Sequence, residues 1–142
     1  MKTLEDRLSR ARLGILLKDP FFGPLVASLP IVVESLNPPT ASTDGKALYF
    51  DPIFGEKCTD AELTGAIIHE ILHCAYLDLG RRKDRDPTRW NIAADYANNL
   101  LIVDAGYTLP EGALLDMKYK GMSKEVIYTS LRDSASQAGQ AG

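Results

Sequence analysis

Between Glu62 and Asp78 the only acidic or basic side chains are His69, Glu70 and His73. A helix so nearly apolar on every side has to be buried, so this segment is expected to thread the middle of the domain. Its start is written in Thr59-Asp60-Ala61-Glu62, a capping box in which threonine and glutamate satisfy each other's free amides, and its stop is expected at about Leu79, before Gly80. Polar groups set inside such a helix need partners, and their spacing says of what kind.

His69 and His73 are the only two histidines in 142 residues, and they stand four apart around Glu70. Four residues is just over one helical turn, so both imidazoles leave the same face and can grip one metal ion, with Zn²⁺ the ion this donor type favours. Glu70 then stands beside the metal without binding it. Cys74 points about 100° away around the helix and reads as packing rather than as a ligand.

A second helix is expected over residues 89–105. From Trp90 to Val103 its one charge is Asp95, with Asn91 and Asn99 one turn away on either side. A lone buried carboxylate costs several kcal/mol, in the range of roughly 3–5 once unpaired, unless it is paired or binds a metal. Asp95 is therefore the candidate third ligand; the alternatives are an internal cap or an ion pair with Arg7, Arg10 or Arg12. A ligating histidine donates its other N–H to an acceptor, for which Asn99 is the first choice and Asn91 the second.

This set is suited to hydrolysis. Three protein ligands leave a coordination position for water, whose pKa falls to about 7, while Glu70 takes the proton from the attacking water and returns it to the leaving amine. Tyr107, Tyr119 and Tyr128 are possible oxyanion donors that spacing does not separate from packing residues.

The rest of the chain bounds the setting. At 45% hydrophobic and 25% charged residues it has the composition of one soluble globular domain. A net charge of −3 gives no general attraction to nucleic acid or anionic membrane. The N-terminus reads as an amphipathic helix over residues 4–18 rather than a signal peptide, so the expected location is cytoplasmic and Cys58 and Cys74 are expected as free thiols. Strands are expected over residues 30–35 and 47–51, paired as an irregular hairpin across a loop at 37–46, with Pro52 ending the second. The charged connector 81–88 reads as a solvated loop, and a serine-capped helix at 123–131 ends the structured part. The expected organisation is one domain over residues 1–132 and a flexible, linker-like low-complexity tail over 133–142.

Taken together, His69-Glu70-Ile71-Leu72-His73, Arg85-Asp86-Pro87-Thr88-Arg89-Trp90-Asn91-Ile92-Ala93-Ala94-Asp95, Gly106-Tyr107-Thr108-Leu109-Pro110-Glu111-Gly112 and Glu125-Val126-Ile127-Tyr128 resemble a bacterial and phage metallopeptidase domain often found ahead of a von Willebrand factor A-like domain. Pro20-Phe21-Phe22-Gly23 and Leu48-Tyr49-Phe50-Asp51-Pro52 fit the same family, so the resemblance runs to about Leu131. It implies a zincin-like α+β domain, with a small, mainly antiparallel sheet beside the HExxH helix and a second ligand-bearing helix. Zinc would be held by His69, His73 and Asp95, where related clans use glutamate as third ligand. It also implies a peptide or protein substrate, bound as an added strand along residues 47–51, and a partner of the von Willebrand factor A-like or AAA+ ATPase type. The rival reading is a silent binding module stapled by zinc within a larger assembly; a third is hydrolysis of a non-peptide amide.

Overall fold

The computed structural model describes residues 2–75 and 81–141, with side chains described as far as Arg132. Helix α1 (Leu4–Lys18) starts at a reciprocal Thr3/Asp6 capping box and buries Leu4, Leu8 and Ile15 on the one face their spacing defines. A short helix α2 (Phe22–Ala27) folds back on it, and the guanidinium of Arg12 fastens the two by donating to the carbonyls of Val26 and Leu29.

Three short strands follow: β1 (Ile31–Val33), β2 (Ala41–Thr43) and β3 (Leu48–Phe50). Their order is β1-β3-β2, with β3 parallel to β1 and antiparallel to β2. The sheet is thus mixed, and the expected hairpin between the first and last strands is replaced by a parallel pair with Ile31 opposite Leu48. The connection between them, expected to be all loop, carries β2. The reason is burial: Leu48 and Phe50 are fully enclosed, and a central strand needs hydrogen-bonding neighbours on both sides.

Pro52 does end β3, but it also opens a helix that the sequence pattern does not announce, α3 (Pro52–Lys57). Buried Asp51 caps it, accepting from the amides of Ile53 at 2.7 Å and Phe54 at 3.2 Å, and its other oxygen accepts from Leu36 N–H at 2.7 Å. One carboxylate therefore ties the strand end, the helix start and the β1–β2 loop together.

The central helix α4 (Asp60–Ala75) begins with the expected capping box: Thr59 and Glu62 exchange hydrogen bonds of 2.8 and 3.1 Å. Leu63, Ile67, Ile68, Ile71 and Leu72 are enclosed, and α4 packs against α1, α2, β2, β3 and the next long helix. It threads the domain as its lack of charge requires. Its expected end at Leu79 and Gly80 lies outside the described residues.

Helix α5 (Pro87–Asp104) is capped by Asp86 and opens on Pro87, two residues earlier than expected. After a 3₁₀ turn at Met117–Tyr119 comes α6 (Lys124–Ala141), which packs against α5 through Ile127 and Tyr128. The helix runs beyond residue 131, through a stretch whose alanines and glutamines are good helix formers. The connector ahead of α5 is more engaged than a solvated loop. Arg81 makes a two-pronged pair with Glu125 at 2.8 and 2.9 Å, and the Arg85 guanidinium lies 5.1 Å from the centre of the Trp90 ring. Among the described residues no helix is long and apolar enough to cross a membrane.

Candidate metal centre

Helix α4 directs His69 and His73 from one face, their rings edge to face with centroids 4.7 Å apart. Helix α5, packed alongside, brings Asp95 to the same point. The two Nε2 atoms are 3.0 Å apart, and Asp95 Oδ1 is 3.1 Å from each. The result is a nearly equilateral triangle of nitrogen and oxygen atoms.

The tautomer of His69 follows from the hydrogen bonds behind it. The carbonyl of Leu114 can only accept, so Asn99, 2.7 Å away, must turn its Nδ2 to that carbonyl. Its Oδ1 is then left for His69 Nδ1 at 2.7 Å, and that ring nitrogen has to be the donor. In neutral His69 the Nε2 lone pair therefore points into the triangle. Asn99 is 1% exposed, which leaves neither bond open to exchange with bulk water.

With His69 neutral, its Nε2 and Asp95 Oδ1 are both acceptors, and two acceptors 3.1 Å apart repel one another unless a proton or a cation stands between them. Burial alone would lower the His69 pKa, but the hydrogen bond to Asp95 and the charges of Glu70 and Asp95 outweigh it and raise it. Asp95 has the reverse balance: burial raises its pKa, and the hydrogen bonds and charges of His69 and His73 bring it down to about 2. The edges of 3.0–3.1 Å lie close to the separation of about 3.3 Å between ligands of a tetrahedral zinc, so the donor set fits such an ion in size and chemistry.

Glu70 is 5% exposed, and burial raises its pKa. One donor atom from each of His69, Glu70 and His73 lies within 4.8 Å of the others. Glu70 is thus beside the triangle without belonging to its 3.1 Å edges.

All four residues line a cleft of about 440 Å³. Its lining also includes Thr40 and the β2 residues Ala41–Thr43, residues 109–114, and Asn91. The edge strand at the site is accordingly β2, whereas residues 47–51, expected as the substrate-binding edge, form the central strand. Asp51 N–H donates to Thr40 C=O at 2.9 Å; by the alternation of antiparallel ladders Ser42 then faces Tyr49, and Ala41 and Thr43 turn their backbone amides outward.

The three tyrosines stand away from this lining. Tyr107 donates to Asp19 at 2.5 Å, Tyr128 accepts from Asp86 N–H at 2.8 Å, and Tyr119 is buried against Tyr96. The ion partners of Asp95 among the described residues are His69 and His73 rather than an arginine: Arg7 is spent on Asp60 and the Cys58 carbonyl, Arg12 on α2, and Arg10 is exposed on α1. Both cysteines are free, and Cys74 Sγ meets Thr43 Oγ1 at 3.2 Å, away from the triangle.

Sequence reasoning missed the cleft wall at 109–114 and its anchor at Gly65. A glycine inside a buried helix costs about 1 kcal/mol relative to alanine, and that cost was the one local signal of a close approach.

A family model described as "Putative metallopeptidase domain" matches residues 3–142. Neither the curated proteins nor the solved structures contain a match to this chain.

Proposed function

The chain belongs to the metallopeptidase domain family, and from that premise we propose that the cleft hydrolyses peptide bonds with a zinc ion held by His69, His73 and Asp95. The observation that carries this reading is the convergence of two Nε2 atoms and one carboxylate oxygen, each 3.0–3.1 Å from the others, beside the buried Glu70. When bound, zinc supplies a water of lowered pKa and polarises the carbonyl under attack.

The side chains divide the remaining work. Glu70 takes the proton of the attacking water and passes it to the departing amine, a role typically worth about 10²–10⁴ in rate. Glu70 follows His69 by one residue and precedes His73 by three, so on the helix it stands about 100° round from the first and about 60° from the second, close enough to serve the same point from the side of their shared face. Asn99 holds His69 with its lone pair forward. Because β2 is an edge strand bordering the cleft, the outward amides of Ala41 and Thr43 are free to pair with an extended peptide laid across the site.

The open cleft beside a three-donor set favours the enzyme over a zinc-stapled binding module, for which four protein ligands in a closed site would be expected. A von Willebrand factor A-like or AAA+ partner belongs to the same proposal only through the resemblance in sequence. The test is Glu70→Gln: it should bind zinc like the wild type and lose peptide hydrolysis by at least about 10²-fold. Full activity in that variant would remove Glu70 as the base, and a wild-type chain that folds normally but takes up no zinc would remove the metal centre.

A further inference from the structure

The part of the cleft lining formed by residues 109–114 is pinned from both long helices. Gly65 of α4 lets the Thr108 carbonyl seat directly against the helix, and the Glu111 amide donates to Glu62 Oε2 at 3.1 Å. At the far end, Asn99 Nδ2 donates to the Leu114 carbonyl at 2.7 Å. The same amide group accepts from His69 on its other side. A planar amide with both ends committed cannot turn to improve one bond without losing the other.

We infer that Asn99 is a positioning residue that locks the His69 ring and the cleft wall at 109–114 to one another. The inference rests on the reading of the site as a metal centre for its functional meaning, but its geometry stands in the protein alone. Leu109, Pro110, Ala113 and Leu114 give the wall an apolar lining, so the element being held is the surface that meets substrate side chains. Its physical basis is the closed accounting of buried polar groups: the Leu114 carbonyl and the His69 Nδ1–H are both satisfied by one side chain with 1% exposure. Any movement of the wall is thereby transmitted to the ring that presents Nε2 to the metal, and metal retention and substrate fit share one support.

Two substitutions separate the two halves. In Asn99→Asp a carboxylate still accepts from His69 Nδ1–H, but its second oxygen faces the Leu114 carbonyl with no proton between them. Asn99→Ala removes both bonds. Three measurements are made on each folded variant, and on the wild type with and without zinc. They are the imidazole nitrogen spectrum that reports the Nδ1 proton of His69, zinc affinity by competition with a chelator, and backbone hydrogen exchange across residues 109–114.

The expected result for Asn99→Ala is loss of the fixed Nδ1–H tautomer and a fall of about 10–100-fold in zinc affinity. Asn99→Asp should keep the tautomer and hold affinity within about threefold of wild type, while exchange in the wall rises at least about tenfold in both variants. Unchanged wall exchange in Asn99→Asp, or an unchanged tautomer in Asn99→Ala, overturns the inference. A wild type that binds no zinc overturns the metal-centre reading instead, and in that case the tautomer and exchange measurements, both made without metal, still decide the role of Asn99.

Discussion

The carbonyl oxygen of Thr108 occupies the place where Gly65 would carry a side chain: a Cβ added there would lie 1.7 Å from it. That contact lies one turn before His69 on α4, and it brings the wall of the cleft onto the helix that bears His69 and His73. Backbone cannot be displaced as a flexible side-chain tip can. Gly65→Ala is expected to destabilise the fold by about 1–3 kcal/mol and to loosen residues 108–114. Gly14→Ala, in α1, where an added Cβ would meet nothing within 4 Å, should instead stabilise by roughly 0.5–1 kcal/mol. Urea denaturation of the two variants tests the contrast, and equal effects would refute it.

Zinc should act as a stabilising ligand. At a free concentration of 100 times its dissociation constant it should add about 2.7 kcal/mol to the unfolding free energy. His69→Ala and Asp95→Ala should each lose most of that increment, and a chelator should reverse it in the wild type. If the Asp95 variant kept the full increment in metal-dependent denaturation, the third ligand would have to be sought elsewhere.

The hydrogen bond from Tyr107 to Asp19 joins the loop after α5 to the turn after α1, and it fixes a pH dependence. Burial and the Asp19 partner hold the Tyr107 hydroxyl up at about 12. For Asp19, burial works upward, but the bonds from Tyr107 and from the amides of Phe22 and Phe21 outweigh it and lower the pKa. The tyrosine contribution is therefore complete below its unfolded pKa of about 10 and is lost as pH climbs toward 12. The aspartate contribution is present above its unfolded pKa of about 3.9 and is lost as pH falls through the lower folded value. Tyr107→Phe should cost about 1 kcal/mol at neutral pH, a modest figure because the pair is partly solvated, and the cost should shrink at both extremes. A difference between wild type and variant that stays constant with pH would contradict the coupling.

Peptide binding along β2 predicts a particular effect of proline. Ala41 turns its N–H outward, so Ala41→Pro should leave the ladder to β3 paired and raise KM for extended peptides several-fold, with a smaller effect on kcat. Steady-state kinetics together with a denaturation curve separates this from unfolding. An unchanged KM would place the substrate on another surface.

The chain announced its central helix, the capping box that opens it and its histidine pair without help, because these depend on neighbours within a turn: Thr59 with Glu62, and His69 with His73. Asp95 was legible for a related reason, since a single charge on an apolar helix needs a partner wherever it goes. Strand pairing was not legible. Three-residue strands carry too little pattern to set direction, and β3 lies between β1 and β2 only because Leu48 and Phe50 have to be enclosed from both sides.

Likewise, nothing local in Ala41-Ser42-Thr43 says that it borders the site, and nothing near Leu114 says that its carbonyl decides which way Asn99 faces. Short-range spacing determined that two imidazoles share one face of a buried helix and that a lone carboxylate sits on the next. Long-range packing of α4, α5 and the wall decided how far apart their donor atoms stand, which proton His69 keeps and which strand is left open, because each of those depends on atoms brought together from distant parts of the chain.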